Sequence, residues 1–518
     1  MKNNEIRNGV GRMIPTEING QAVIPFLGLG KHRPQGRIIG PSIPTCLDYP
    51  EDGNKVVPSL KEALIKAGIR DGMTISTHHH LRNGDLVSNE IFRIASQLGI
   101  KDLVWYPSAS FPCHEPLIEY LENGTIDHIE GSMNGPLGRF TSRGKMKGVG
   151  ILRSHGGRVQ ALKDGEVRID IAVLAAPTCD KFGNATGQRG PSACGVLGYA
   201  KADALFAEKV IIVTDNLVDF PCLPLEIEGN YVDHVVVVGK IGIPEKIISG
   251  TTQITNNPER LEIAKLTADF LLKAGILQDR CFLQAGAGGT SLAIGYYIHQ
   301  IMKEKNWKVQ VGFGGSTRYM VEMLEGGTMN NILDGQAFDL DAVRSIARNP
   351  NHYHYPVFNA YNFHSKGNLN SMMDISILGA TEVDVNFNGN VVTHSDGYLL
   401  HGIGGWQNCL HARNVILPLP LVRNGIPVIR DEVTTIVGPG ELIDVIVTNH
   451  GIAINPQRKD LLEKVKKTAL TICSIQELKE KAERICGVVE KPKFTDKVVA
   501  AVKWVDGTVI DVIRQVAE

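Results

Sequence analysis

Runs of consecutive β-branched residues punctuate this 518-residue chain. Val210-Ile211-Ile212-Val213 and Val235-Val236-Val237-Val238 are apolar at every position, the pattern of parallel strands covered on both faces. Further strands are predicted near Val309-Gln310-Val311-Gly312, Asp374 to Gly379, Val415-Ile416-Leu417 and Val445-Ile446-Val447. Helical segments are predicted at Ser88 to Leu98, Pro258 to Ala274 and Ser291 to Lys303. A short strand, a polar or glycine-rich loop and an amphipathic helix, in that order in both halves, predict open α/β domains.

Part of this pattern occurs twice. Asp170-Ile171-Ala172-Val173-Leu174-Ala175-Ala176 is echoed by Asp374-Ile375-Ser376-Ile377-Leu378-Gly379-Ala380, and Asp180 and Asp384 keep the register. Gly183-Asn184 and Gly389-Asn390 follow with a two-residue slip, and Asp71 to Ser76 is echoed more faintly by Asp279 to Leu283. Solenoid units run about 20–50 residues, so a period this long implies a duplicated domain. The expected boundaries are an irregular Gly- and Pro-rich extension over 1–56, a first domain over 57–250 and a second over 251–518. The second ends in a charged helical tail from Pro456, where Ser474-Ile475-Gln476-Glu477 reads as a capping box.

Charge narrows the partners. With 54 Lys+Arg against 55 Asp+Glu, nothing suggests a nucleic-acid tail or a polybasic membrane anchor, and small molecules or protein surfaces are expected instead. The N-terminus lacks the apolar core of a signal peptide, and no apolar run approaches the roughly 18 residues of a spanning helix, so a cytoplasmic location is expected. Nine scattered cysteines with no Cys-x-x-Cys argue against a disulfide framework or a structural zinc site.

Open α/β sheets bind ligands at the carboxyl ends of their strands. The loop His78-His79-His80-Leu81-Arg82-Asn83-Gly84-Asp85 follows such a strand and offers a concavity rich in donors for a polycarboxylate or phosphate. A zinc site is the rival reading, but adjacent histidines diverge and no Asp, Glu or Cys spacing accompanies them, so no metal is expected. Ser154-His155-Gly156-Gly157-Arg158 combines close backbone approach with a bidentate donor, although an ordinary turn has the same sequence. Gly286-Ala287-Gly288-Gly289-Thr290-Ser291, Gly312-Phe313-Gly314-Gly315-Ser316-Thr317 and Gly402-Ile403-Gly404-Gly405 are glycine clusters with backbone N–H groups suited to an anion or oxyanion. None is a Walker or Gly-x-Gly-x-x-Gly sequence, which disfavours a nucleotide kinase or a nicotinamide dehydrogenase.

Asp71 to Ile75, Asp170 to Val173 with Asp180-Lys181-Phe182-Gly183-Asn184, and Glu382-Val383-Asp384 with Gly402 to Gly405 resemble the two-domain coenzyme A transferase superfamily. Within it, His78 to Asp85, Ser154 to Arg158, Gly190 to Gly195 and Gly451 to Pro456 resemble the citrate lyase alpha subunit family over almost the whole chain. The resemblance implies two tandem similar open-sheet α/β domains of coenzyme A transferase type. It also implies exchange of acetate for citrate on the thiol of an acyl carrier protein, in a complex with a citrate-cleaving beta subunit. No covalently bound cofactor is expected, the partner's coenzyme A-like group being used instead, and a homo-oligomer is expected.

Two departures from the superfamily matter. Where many relatives place a covalent glutamate, this chain has Gly314-Gly315-Ser316, with Glu322 and Glu325 further along; Trp406-Gln407-Asn408 replaces His and Asp. Direct transfer through a ternary complex is therefore expected, with Gly314, Gly315 and Ser316 as catalytic positions stabilising an oxyanion. His78, His79, His80, Arg82, Asn83, His155, Arg158, Gly288, Gly289, Thr290, Thr317, Gly404 and Gly405 are expected to bind substrate. Another coenzyme A transferase, a thioester hydrolase, or a non-catalytic citrate-binding scaffold are the alternatives.

Overall fold

The computed structural model describes residues 4–33, 49, 51–78, 80–248, 253–286, 288–363 and 365–517. Two large sheets organise it. The first has seven strands in the spatial order Val56–Val57, His234–Val237, Lys209–Thr214, Ile171–Ala175, Thr74–His78, Leu103–Pro107 and Ile126–Ile129, all parallel. Ile171 to Ala175 are buried throughout, as a central strand covered on both faces must be.

The second sheet has nine strands. Its order is His352–His354, Met329–Ala337, Val309–Ser316, Phe282–Ala285, Ile375–Ile377, Val415–Pro418, Val445–Thr448, Gly451–Ile454 and Ile472–Cys473. Gly451–Ile454 pairs antiparallel with Val445–Thr448, and Ile472–Cys473 runs parallel to Gly451–Ile454, so these last two strands run against the other seven. Six strands of one sheet match six of the other in chain order and in spatial order, so the repeat seen in the sequence is a repeat of topology.

Paired aspartates hold both copies in the same way. Asp170 accepts from the Thr74 N–H at 2.8 Å, and Asp374 from the Phe282 N–H at 2.9 Å. Asp71 accepts from Lys101 and Asp279 from Lys308, and Asp233 from Val210 and Asp444 from Val415, each through the backbone N–H. Asp180 and Asp384 each bracket a tight turn, taking the N–H groups of Phe182 and Asn184 in one and of Asn386 and Asn388 in the other. The partner of Asn184 is therefore Asn388. Their side-chain oxygens accept from Gly229 N–H and Gly440 N–H respectively, and the two-residue slip to Asn390 is corrected to none.

The tail is helical only in part. Helices Lys459–Val465 and Ile475–Cys486 form, and Ser474 and Glu477 exchange the reciprocal bonds of a capping box. Beyond them Phe494–Lys503 and Val509–Val516 make a hairpin, in which Ala500 to Val502 pair with Gly150 to Leu152 of the first half. Val-Val-Ala-Ala-Val and Val-Ile-Asp-Val-Ile are β-forming runs, and a charged helix before them masks that signal. The N-terminal extension packs on this hairpin through Phe26 against Trp504, ring centroids 5.9 Å apart. Among the described residues no helix is long and apolar enough to cross a membrane.

Candidate active site between the repeats

A cavity of about 480 Å³ opens where the strand ends of the second sheet meet the first half. Its floor comes from the ends of three neighbouring strands, at Gln284 to Gly286, Gly314 to Gly315 and Leu378 to Thr381, joined by the loop His401 to Gly405. Arg82, His155 and Tyr199 reach it from the first half. Two hydrogen bonds clamp the halves there: His155 N–H donates to Gly404 O at 2.9 Å and Gly156 N–H to Asn408 Oδ1 at 3.0 Å.

Gly314 and Gly315 belong to a bulged strand end rather than a loop. The register to the next strand shifts between them, so that Gly314 faces Asp334 and Gly315 faces Gln336. Gly314 takes φ +124°, and a Cβ on Gly315 would fall inside the Phe338 ring. That ring in turn carries the Arg82 guanidinium 4.6 Å above its centroid. Glycine at 315 thus sets the position of the cavity's arginine.

Arg82 has no carboxylate partner among the described residues; its Nη1 reaches only the Ile247 carbonyl, at 3.4 Å. Burial pushes its pKa down to about 10, which leaves it charged at neutral pH. A half-buried charge with no counter-ion costs stability that an anionic ligand would return.

The other polar residues of the predicted set lie elsewhere. Arg158 is buried, bonded to Asp203 at 2.5 and 2.8 Å, to Ser76 Oγ and to the Tyr106 carbonyl, so its fork is closed to substrate. His78 and His80 are buried beneath the cavity, His78 against Ser108 Oγ and both stacked near Tyr199. Asn83 Oδ1 accepts from the Cys113 N–H. Ser316 donates to the buried Asp334 at 2.5 Å, and Thr317 is buried at the start of helix Arg318–Glu325. Gly288, Gly289 and Thr290 open helix Gly289–Lys305 outside the cavity lining, where Gly289 abuts Thr255. His79 lies outside the described residues.

Comparison with known proteins bears on this arrangement. The family described as citrate lyase, alpha subunit (CitF) matches residues 53–516. The chain belongs to that family. It is 40% identical to the citrate lyase alpha chain of Haemophilus influenzae over 466 residues, 90% of this chain and 93% of that one. It is 41% identical to that of Klebsiella pneumoniae over 464 residues, 89% and 91% of the two chains. A Streptococcus mutans structure, described as a proposed alpha subunit of citrate lyase in complex with citrate, superposes with TM-score 0.92 at 39% identity, covering 99% of this chain and all of the other. The acyl-transfer activity of the citrate lyase alpha subunit, of coenzyme A transferase type, and a place in a multisubunit complex follow from membership.

For a citrate lyase alpha subunit, the cavity's lining is notable in that no Asp or Glu contributes to it among the described residues. Glu322 is exposed on its helix and paired with Arg318. Trp406 donates to the Gly379 carbonyl, Gln407 to Val437 and Lys503 carbonyls, and Asn408 accepts from Gly156, which gives that segment a structural part.

Sequence reasoning missed Gln284, Gln336 and His401, none of which sits in a glycine cluster. Ser376 Oγ donates to Gln284 Oε1 at 2.9 Å, turning the amide so that Nε2 lies 3.7 Å from where a Gly314 Cβ would be. His155 is held uncharged, its pKa driven down to about 3 by burial and by the Arg158 charge. Among the described residues, no cluster of ligands could hold a metal.

Proposed function

We propose that the cavity is where citrate displaces acetate from an acyl carrier protein's thioester, by direct exchange within a ternary complex. One observation carries this reading: among the described residues, a single unpaired arginine, oriented amide donors and glycine backbone surround a space with no acidic side chain on its wall. The citrate complex of the Streptococcus mutans relative supports citrate as the occupant.

In this mechanism a citrate carboxylate, already ionised at neutral pH, attacks the acetyl carbonyl. The C–S bond breaks, giving a mixed anhydride and the carrier's thiolate. The thiolate attacks the citryl carbonyl, acetate leaves, and citryl thioester remains for the beta subunit to cleave. Arg82 grips a citrate carboxylate. Gln284 Nε2 and the N–H groups near Gly314, Gly315, Gly404 and Gly405 face the oxyanions; the last two make no hydrogen bond to protein among the described residues. One such donor contributes about 3–4 kcal/mol, and holding two reactants in attack geometry about 7–11 kcal/mol.

Acetyl-carrier thioester incubated with the enzyme without citrate, then treated with borohydride or hydroxylamine, should leave every glutamate unlabelled. A trapped acyl-enzyme would overturn direct exchange. It would favour the ping-pong route of glutamate-dependent coenzyme A transferases.

A further inference from the structure

We infer that His401 reads the hydroxyl group of the hydroxy-tricarboxylate, and is the residue by which the cavity tells citrate from the same tricarboxylate lacking that hydroxyl. The inference rests on the cavity being the citrate site.

Two side chains on the wall have their hydrogen-bonding sense fixed by the protein. Gln284 is turned by Ser376 to present donors. His401 is fixed the other way. Its Nδ1 lies 2.7 Å from the carbonyl of Gly402, an atom that can only accept, so Nδ1 carries the proton. Nε2 of the neutral ring is then an acceptor, and it has no protein partner among the described residues. Burial lowers the pKa of the ring against the opposing pull of the Gly402 carbonyl, which keeps this tautomer uncharged.

The loop that carries the ring is pinned to the first half. Gly402 N–H donates to Asn134 Oδ1 at 3.2 Å, and a Cβ on Gly402 would strike Ser132. The nearby backbone carbonyls of Gly379, Gly402 and Gly404 already accept from Trp406, His401 and His155.

Fully ionised citrate has three carboxylates that only accept, and one hydroxyl that donates. A fixed acceptor among donors is repelled by a carboxylate oxygen and satisfied by the hydroxyl. Sites built to bond a substrate hydroxyl discriminate strongly against the analogue without it, because their own polar group is then left unpaired.

The test compares citrate with tricarballylate, its deoxy analogue, as acceptors from acetyl-carrier thioester, using the full chain with its carrier protein. The unsubstituted enzyme should favour citrate by at least about 30-fold in kcat/KM. His401→Leu should bring that preference within about threefold, both by slowing citrate and by raising tricarballylate turnover once the unpaired acceptor is gone, and the retained turnover also reports an intact fold. His401→Gln, whose carbonyl can accept, should restore part of the preference. Equal slowing of both acceptors, or a preference unchanged in His401→Leu, overturns the assignment. Failure of the underlying site is distinguishable: Arg82→Ala would then leave citrate turnover intact.

Discussion

The two repeats share strands, order and aspartate brackets, yet they treat the polar groups at their strand ends in opposite ways. In the first half Ser76, His78, Asn83 and Arg158 are tied to protein partners and buried or half-buried. In the second, the matching strand end presents Gln284, Gly286 and the Gly314–Gly315 bulge to the cavity. Ser76 and Gln284 make the contrast concrete. Each lies two residues after a start held by the paired aspartates, but Ser76 donates into the Asp203–Arg158 pair and Gln284 is turned outward by Ser376. One copy serves as a rigid abutment that offers Arg82 and His155; the other supplies the reacting surface.

The largest test of this division is Arg158→Ala. Removing one member of a buried ion pair typically costs about 3–5 kcal/mol, so urea denaturation should show a loss of that order. The KM for citrate of the folded fraction should stay put. A rise in KM without a loss of stability would return Arg158 to the binding site. Arg82→Ala should do the reverse. Citrate kcat/KM should fall about 100-fold, worth about 2.7 kcal/mol, with stability unchanged to within about 1 kcal/mol.

Gly315→Ala should fall between the two. Its methyl displaces Phe338, costing about 1–3 kcal/mol in stability by overpacking, and citrate binding should weaken because Arg82 loses the ring beneath it. Near neutrality the smallest effect should come from His114, which holds the Arg82 loop through Asp85 at 2.9 Å. Burial pulls its pKa down, but the bonds to Asp85 and Cys113 outweigh it and raise the value to about 9. A folded value above the unfolded one means that the native state holds the extra proton. The stabilisation is complete below about pH 6.5 and fades as pH rises through about 9. Thermal melts should decline by on the order of 1 kcal/mol between pH 7 and 8, and His114→Gln should flatten that slope.

The fold was legible because duplicated strands carry their own signal. Continuous β-branched runs and repeated aspartates survive in any reading, and the aspartates mark starts of strands in both copies. The hairpin near the C-terminus was hidden by the charged helix before it, since local pattern does not say where a charged segment ends. Within the candidate site, glycine clusters were visible because glycine is conspicuous. Arg158 looked available because pairing with Asp203, which lies on another helix, is a tertiary fact. Gln284 and His401 were silent for the same reason: a lone amide or imidazole gains meaning only from Ser376 or the Gly402 carbonyl that orients it.

The pairing of Ala500–Val502 with Gly150–Leu152 has a consequence for how the chain is made. During synthesis the strand at Gly150 emerges long before its partner, and Ile151, buried in the finished protein, lacks that partner until about 350 more residues have been made. Closing so long a loop is entropically slow and delays completion of the first half. A chain released early, after Cys486, would therefore lack the strand that finishes its oldest domain, and would present an open sheet edge to chaperones and to other nascent chains.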